Sequence, residues 1–169
     1  MKKIKQIVTI FATLALAVTA GLSFAGTKTK AAGSDEFTRT AIEIAADMGY
    51  GWNLGNTMEA TNTWTSNPKV TDFETAWGQP VTTKDMIDGI KKAGFNSIRI
   101  PVSWSNMMSS DGNYIIDASY FKRVDEIISY AFANDMYVII NDHYDGGWWE
   151  HFCGNKRDCM KHYKSMWTQ

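Results

Sequence analysis

The chain has 169 residues, with 17 Lys and Arg against 18 Asp and Glu and a net charge of −1. That balance leaves no basic excess to neutralise phosphates, which excludes nucleic acid as a default partner. With 44% hydrophobic and 21% charged residues the composition is globular, and the length admits one ordinary domain but not a closed (β/α)8 barrel of ~250 residues.

Residues 1–25 read as an export signal. Lys2, Lys3 and Lys5 form a basic head, and the run from Ile7 to Phe24 carries no charge. Ser23-Phe24-Ala25 places small residues where a signal peptidase reads, so cleavage is expected after Ala25. A retained anchor is the competing reading of such a run, but Gly21 and the small-residue site favour removal, with no stable membrane insertion afterwards and a secreted product. Removal leaves 14 basic against 18 acidic side chains and a net charge of −4. Residues 26–36 are small and polar and read as a linker, leaving 37–169 to fold.

Apolar residues at Phe37, Ala41, Ile44, Ala45 and Met48 have helical spacing. The glycine-rich Gly49 to Asn56 reads as a short strand running into a loop. Thr82 and Asp85 suggest a capping box for a helix stopped by Gly94. Phe95 to Val102 reads as a strand ended by proline chemistry. A longer helix follows from about Ala118 to Asn134, with Tyr120, Phe121, Val124, Ile127, Ile128 and Ala131 on one face. Tyr137 to Ile140 then reads as a buried parallel strand. Alternation of this kind implies βαβ units, a parallel sheet and an α/β fold.

Ligands of parallel α/β folds bind at the carboxyl ends of the strands. Asn53 and Asn56 follow the first strand, Arg99 lies in the second, and Asn141, Asp142 and His143 follow the third. Arg99 sits between two isoleucines, so a paired carboxylate is expected beside it. A structural ion pair and an ordinary hydrogen-bonded histidine are the plainer readings of Arg99 and His143, and their common position favours a site. Of the seven Trp, Trp64, Trp77, Trp104, Trp148 and Trp149 cluster in loops. An indole face stacks on a sugar ring, so one or two are expected to touch ligand and the rest to pack. His151, Cys153, Cys159 and His162 match a zinc set by type but not by spacing. A Cys153–Cys159 disulfide is expected in an exported chain, with free thiols or a metal as alternatives. No nucleotide loop, dinucleotide fingerprint or Ser-His-Asp elbow is present.

Three stretches together carry a resemblance: Gly51-Trp52-Asn53-Leu54-Gly55-Asn56-Thr57, Glu74-Thr75-Ala76-Trp77-Gly78, and Gly94-Phe95-Asn96-Ser97-Ile98-Arg99-Ile100-Pro101-Val102-Ser103-Trp104. With Tyr137 to Asn141 and His143, the chain resembles the start of a family 5 glycoside hydrolase of the bacterial endoglucanase branch, from about Ala41 to Trp149. The resemblance implies a (β/α)8 barrel cleaving β-1,4-glucans with retention of configuration, and no cofactor. It implies that Arg99 supports the nucleophile electrostatically and that His143 hydrogen-bonds at the cleavage subsite. Asn53, Asn56, Trp77, Trp104, Tyr144, Trp148 and Trp149 are the expected substrate contacts, and no metal is expected. Two positions depart from the branch: Tyr144 stands where a second histidine is usual, and Met107 where a loop histidine is common.

Retaining hydrolysis needs two carboxyl groups ~5–5.5 Å apart. The resemblance places them as glutamates after the fourth and seventh strands, the first preceded by Asn, and no Asn-Glu pair occurs in the chain. The expectation is therefore an incomplete barrel of about the first three βα units, open at both sheet edges and inactive alone. A non-catalytic carbohydrate-binding protein, or a xyloglucanase, xylanase or mannanase of the same family, is the alternative.

Overall fold

The computed structural model describes residues 38–61, 63 and 65–169. The expected signal, the linker, Phe37 and Trp64 lie outside the described residues. Among those described, no helix is long and apolar enough to cross a membrane.

In chain order the elements are α1 (Ala41–Met48), β1 (Gly51–Asn53), α2 (Val70–Glu74), α3 (Lys84–Lys92), β2 (Ser97–Val102), α4 (Ala118–Phe132), β3 (Tyr137–Asp142) and α5 (Lys156–Trp167). Short 3-10 segments follow β2 at Trp104–Met107 and β3 at Asp145–His151. The strands form one parallel sheet in the order β1-β2-β3, the arrangement that βαβ alternation dictates.

β2 is central, and only Arg99 among its six residues is not fully buried. Ile98, Ile100 and Val102 alternate onto one face, all at 0% exposure, and meet Ile87 of α3 and Tyr120, Val124, Ile127 and Ala131 of α4 in one cluster. Each such aliphatic side chain removed from water contributes about 1.5–3 kcal/mol. Arg99 alternates onto the other face, in register with Asn53 on β1 and Ile139 on β3. That face is only partly covered: Ser97 and Pro101 on it are buried, but Arg99 is half-buried and Ile139 is 44% exposed.

The helices begin and end where local chemistry satisfies their backbone. For α3 the cap is Thr83, whose hydroxyl accepts from the Met86 N–H at 3.3 Å, one residue beyond the Thr82 expected from sequence. Thr82 is instead buried, its N–H donating to Glu74 Oε1 at 2.7 Å. The helix closes before Gly94, which takes the left-handed φ of +99° that favours glycine. Asp117 caps α4 by accepting from the Ser119 N–H at 2.8 Å.

β2 ends at Val102 as expected, and Pro101 lies inside it, in register with Asn141. In a parallel ladder alternate residues face alternate neighbours; the Leu54 N–H donates to Arg99 O, so Pro101 faces the β1 side, where β1 has already stopped at Asn53. Its missing N–H therefore removes no ladder bond.

Candidate active site

The three strands deliver Asn53, Arg99 and His143 to one point at their carboxyl ends. Arg99 Nη1 donates to Asn53 Oδ1 at 2.6 Å, and Nη2 contacts His143 Nδ1 at 3.1 Å. A guanidinium can only donate, so Nδ1 accepts and the imidazole proton sits on Nε2. The backbone holds His143 from both sides: its N–H donates to Val102 O at 2.9 Å, and its carbonyl accepts from Ser103 Oγ at 3.1 Å. Ser103 Oγ also contacts Glu59 O at 3.1 Å, tying the β1, β2 and β3 loops together.

The carboxylate expected beside Arg99 is absent among the described residues. The ion-paired buried position belongs to Arg123 of α4 instead, whose Nε and Nη2 grip Glu74 Oε2 and Oε1 at 3.0 and 2.9 Å. Arg99 escapes that requirement because it is only half-buried on the partly covered face of β2, where its charge is not sealed from water.

Beneath His143, two more carboxyl groups crowd the end of β3. Burial, then the neighbouring charge of Asp145 and a hydrogen bond to it, push Asp142 up to about 8. When ionised, Asp142 Oδ1 has no hydrogen-bond partner among the described residues; a proton there supplies a donor toward Asp145. Asp145 is 1% exposed and accepts from Ser105 N–H at 2.7 Å, Ser105 Oγ at 2.9 Å and Trp148 Nε1 at 3.0 Å. A cleft of about 490 Å³ opens beside it, lined by Thr61, Phe73, Ser105, Asn106, Tyr144 and Asp145 among others.

The aromatic residues divide. Tyr144 and Trp149 are 59% and 46% exposed and are linked by a 3.1 Å bond from Trp149 Nε1 to Tyr144 O. Trp77 is 47% exposed in the turn between α2 and α3. Asn56, at φ +62°, lies in the β1 loop on a groove of about 670 Å³ that it lines with Asn53, Trp52 and Pro80. Trp104, expected to contact substrate, is 4% exposed and packs against Tyr120 and Phe121. Trp148 also faces inward, stacked on His162 at 4.1 Å.

The expected disulfide does not form. Cys153 and Cys159 are free thiols, the first exposed before α5 and the second buried within it, with its Sγ donating to Trp148 O at 3.4 Å. The start of α5 at Lys156 turns Cys159 toward the core while Cys153 stays on the surface. Among the described residues, no group of three or more His, Cys, Asp or Glu is placed to hold a metal ion. Sequence reasoning missed Asp145 and His162 as structural participants; the Asp145-Gly146-Gly147 run after a strand end was the signal for an unusual turn.

The family model described as Cellulase (glycosyl hydrolase family 5) matches residues 58–169. Endoglucanase A from Paenibacillus barcinonensis is 42% identical over 162 residues, covering 92% of this chain and 39% of that protein. A xyloglucan-specific endo-beta-1,4-glucanase from Bacteroides ovatus is 36% identical over 131 residues, covering 77% of this chain and 26% of that protein. Among solved structures, a GH5-4 broad specificity endoglucanase from Ruminococcus champanellensis with bound cellotriose superposes with a TM-score of 0.73 at 42% identity, covering 78% of this chain and 38% of that one. The chain thus spans well under half the length of these relatives. Its parallel sheet with flanking helices is part of an α/β barrel of the (β/α)8 type, and the chain belongs to glycosyl hydrolase family 5, the cellulases.

Proposed function

We propose that the chain provides the first part of the glucan-binding and catalytic face of an exported endo-β-1,4-glucanase that retains anomeric configuration. The observation that carries this reading is the Asn53–Arg99–His143 cluster at the carboxyl ends of three consecutive parallel strands. Its guanidinium is held rigidly while lacking a carboxylate partner among the described residues. A cation so placed favours ionisation of a carboxyl group brought beside it, which is what a glycosidase nucleophile requires. His143, with its ring proton on Nε2, is suited to donate to a sugar oxygen.

Asn53, Tyr144, Trp149 and the cleft beside Asp145 are the sugar-contacting elements in this reading. Asn56 and Trp77 lie at its margin. The acid/base and nucleophile are assigned to no residue of the chain: Glu59 and Glu74 are buried with their oxygens occupied by backbone or Arg123. Relatives named for xyloglucan and for broad specificity support β-1,4-linked glucans as the substrate class, with loop residues such as Tyr144 selecting among them. Export rests on the charge and hydropathy pattern of residues 1–25, and mature protein recovered from culture medium is expected to begin at Gly26.

The test joins this chain to the remaining portion of the Paenibacillus barcinonensis endoglucanase and measures reducing-sugar release from soluble cellulose and xyloglucan. A hydrolytic chimera whose Arg99→Ala form loses at least a hundredfold in kcat supports the reading. A folded chimera that binds cellotetraose without cleaving it supports the carbohydrate-binding alternative instead.

A further inference from the structure

The segment after β3 has the most unusual backbone in the chain. Four consecutive residues, Tyr144, Asp145, Gly146 and Gly147, have positive φ, at 57°, 49°, 72° and 69°. Tyr144, with ψ −57°, is the centre of a tight turn in which the Asp145 N–H donates to His143 O at 2.7 Å. Two glycines tolerate this geometry and an aspartate adopts it at modest cost, but a tyrosine at ψ −57° does not, so surrounding contacts must impose it. Gly147 is favoured by its positive φ, and a Cβ there would also approach the Glu150 carboxylate to 3.2 Å.

The contacts that impose it run inward from the hook. Asp145 is fixed by Ser105 and by the Trp148 indole N–H. Trp148 stacks on the His162 imidazole at 4.1 Å, and the opposite imidazole face stacks on Tyr114 at 4.2 Å and 4°. His162 is 7% exposed and its Nε2 has no hydrogen-bond partner among the described residues, so its ring faces rather than its nitrogens hold it in place. A leucine would fill such a slot at lower desolvation cost if volume alone mattered, but it has no flat face to stack. Outward, the hook ends in the exposed rings of Tyr144 and Trp149.

We infer that Asp145, Trp148 and His162 are positioning residues for the glucan site: they hold the left-handed hook 144–147 in the one shape that presents Tyr144 and Trp149 together as a sugar-stacking surface. This rests on the proposed reading of Tyr144 and Trp149 as glucan contacts. A surface ordered in advance loses less freedom on binding and so binds more tightly than one that must be ordered by its ligand.

The experiment follows, in the 169-residue chain, amide hydrogen exchange at 145–149 and the tryptophan fluorescence response to cellotetraose. His162→Ala and Asp145→Asn are expected to speed exchange there at least tenfold and to weaken cellotetraose binding at least fivefold. His162→Phe keeps a flat ring in the stack and is expected to restore both. Met166→Ala, a cavity in the same helix, is expected to lower the melting temperature without touching either readout. Unchanged exchange at 145–149 in His162→Ala, no rescue by His162→Phe, or faster exchange with unchanged affinity would each overturn the positioning role and leave the glucan reading standing. A folded wild-type chain that ignores cellotetraose would overturn the glucan reading itself, and the positioning role with it.

Discussion

Two arginines of this chain occupy opposite kinds of surroundings. Arg123 is largely enclosed, its fork closed on Glu74, with Nη1 on Glu126 at 2.6 Å and Nη2 also reaching Thr82 O at 2.6 Å. Burial works against its charge, but the Glu74 carboxylate outweighs it and holds the guanidinium above its ordinary range. Arg99 has an amide and an imidazole for partners, and no carboxylate among the described residues. The first arrangement is electrostatically complete and reads as architecture, clamping both ends of the loop that carries Trp77. The second is geometrically fixed but electrostatically open, which is the state of a group waiting to act on something else. A charged residue inside a fold is therefore informative less by its burial than by whether its charge is already answered.

The comparison breaks most readily at Glu74. Glu74→Ala leaves a buried guanidinium and the Thr82 N–H without their acceptor, and a loss of about 3–5 kcal/mol in urea unfolding is expected. A loss below about 1 kcal/mol would mean that Arg123 is solvated rather than clamped. Trp104→Ala belongs with it, because emptying that slot against Tyr120 and Phe121 should cost about 3–5 kcal/mol, whereas Trp149→Ala should leave the melting temperature unchanged and remove the fluorescence response to cellotetraose.

Arg99→Ala is expected to cost no more than about 1 kcal/mol of stability, the net worth of an ordinary hydrogen bond, while abolishing hydrolysis in the chimera. A large stability loss would move Arg99 into the same class as Arg123. Asp142 sharpens the point from the acidic side. The folded chain holds the Asp142 proton up to about pH 8, whereas an unfolded carboxyl releases it near its ordinary value of 3.8. Unfolding therefore releases a proton throughout that window, and stability should decline as pH rises across it. Asp142→Asn should flatten the decline and raise the melting temperature at pH 8. The smallest effect is expected from dithiothreitol, which should leave the melting temperature of the wild-type chain unchanged, since Cys153 and Cys159 are unpaired.

Much of this architecture was legible in the residues. Periodic patterns located β2, α3 and α4, which bury clear apolar faces. The runs at Gly49 to Asn56 and Tyr137 to Ile140 placed β1 and β3, whereas α2 and α5 were not anticipated and β3, expected to be buried, leaves Ile139 44% exposed. The convergence of Asn53, Arg99 and His143 followed from reading polar residues at strand ends. What escaped was information held between elements rather than within them. The partner of Arg99 was misjudged because two flanking isoleucines indicate burial of a strand, not which face a given side chain takes. Glu74 and Arg123 lie 49 positions apart, and no local pattern announces their pairing. Trp104 reads identically whether its ring faces outward or packs against Tyr120 and Phe121. The hook at 144–147 depends on a stack formed by a helix that begins only at Lys156.

Pro101 has a consequence beyond its own strand. Parallel strands tend to zip as far as donors and acceptors allow, and at this position the zipper has no tooth. The chain leaving Asn53 is thus released from β2 and bends over it, to be caught again only where the Ser103 N–H meets Met58 O at 3.1 Å. The residue without a hydrogen to offer thus stands where the first two strands part company. The proposed site lies at that parting, where the backbone of the second strand asks nothing further of the first.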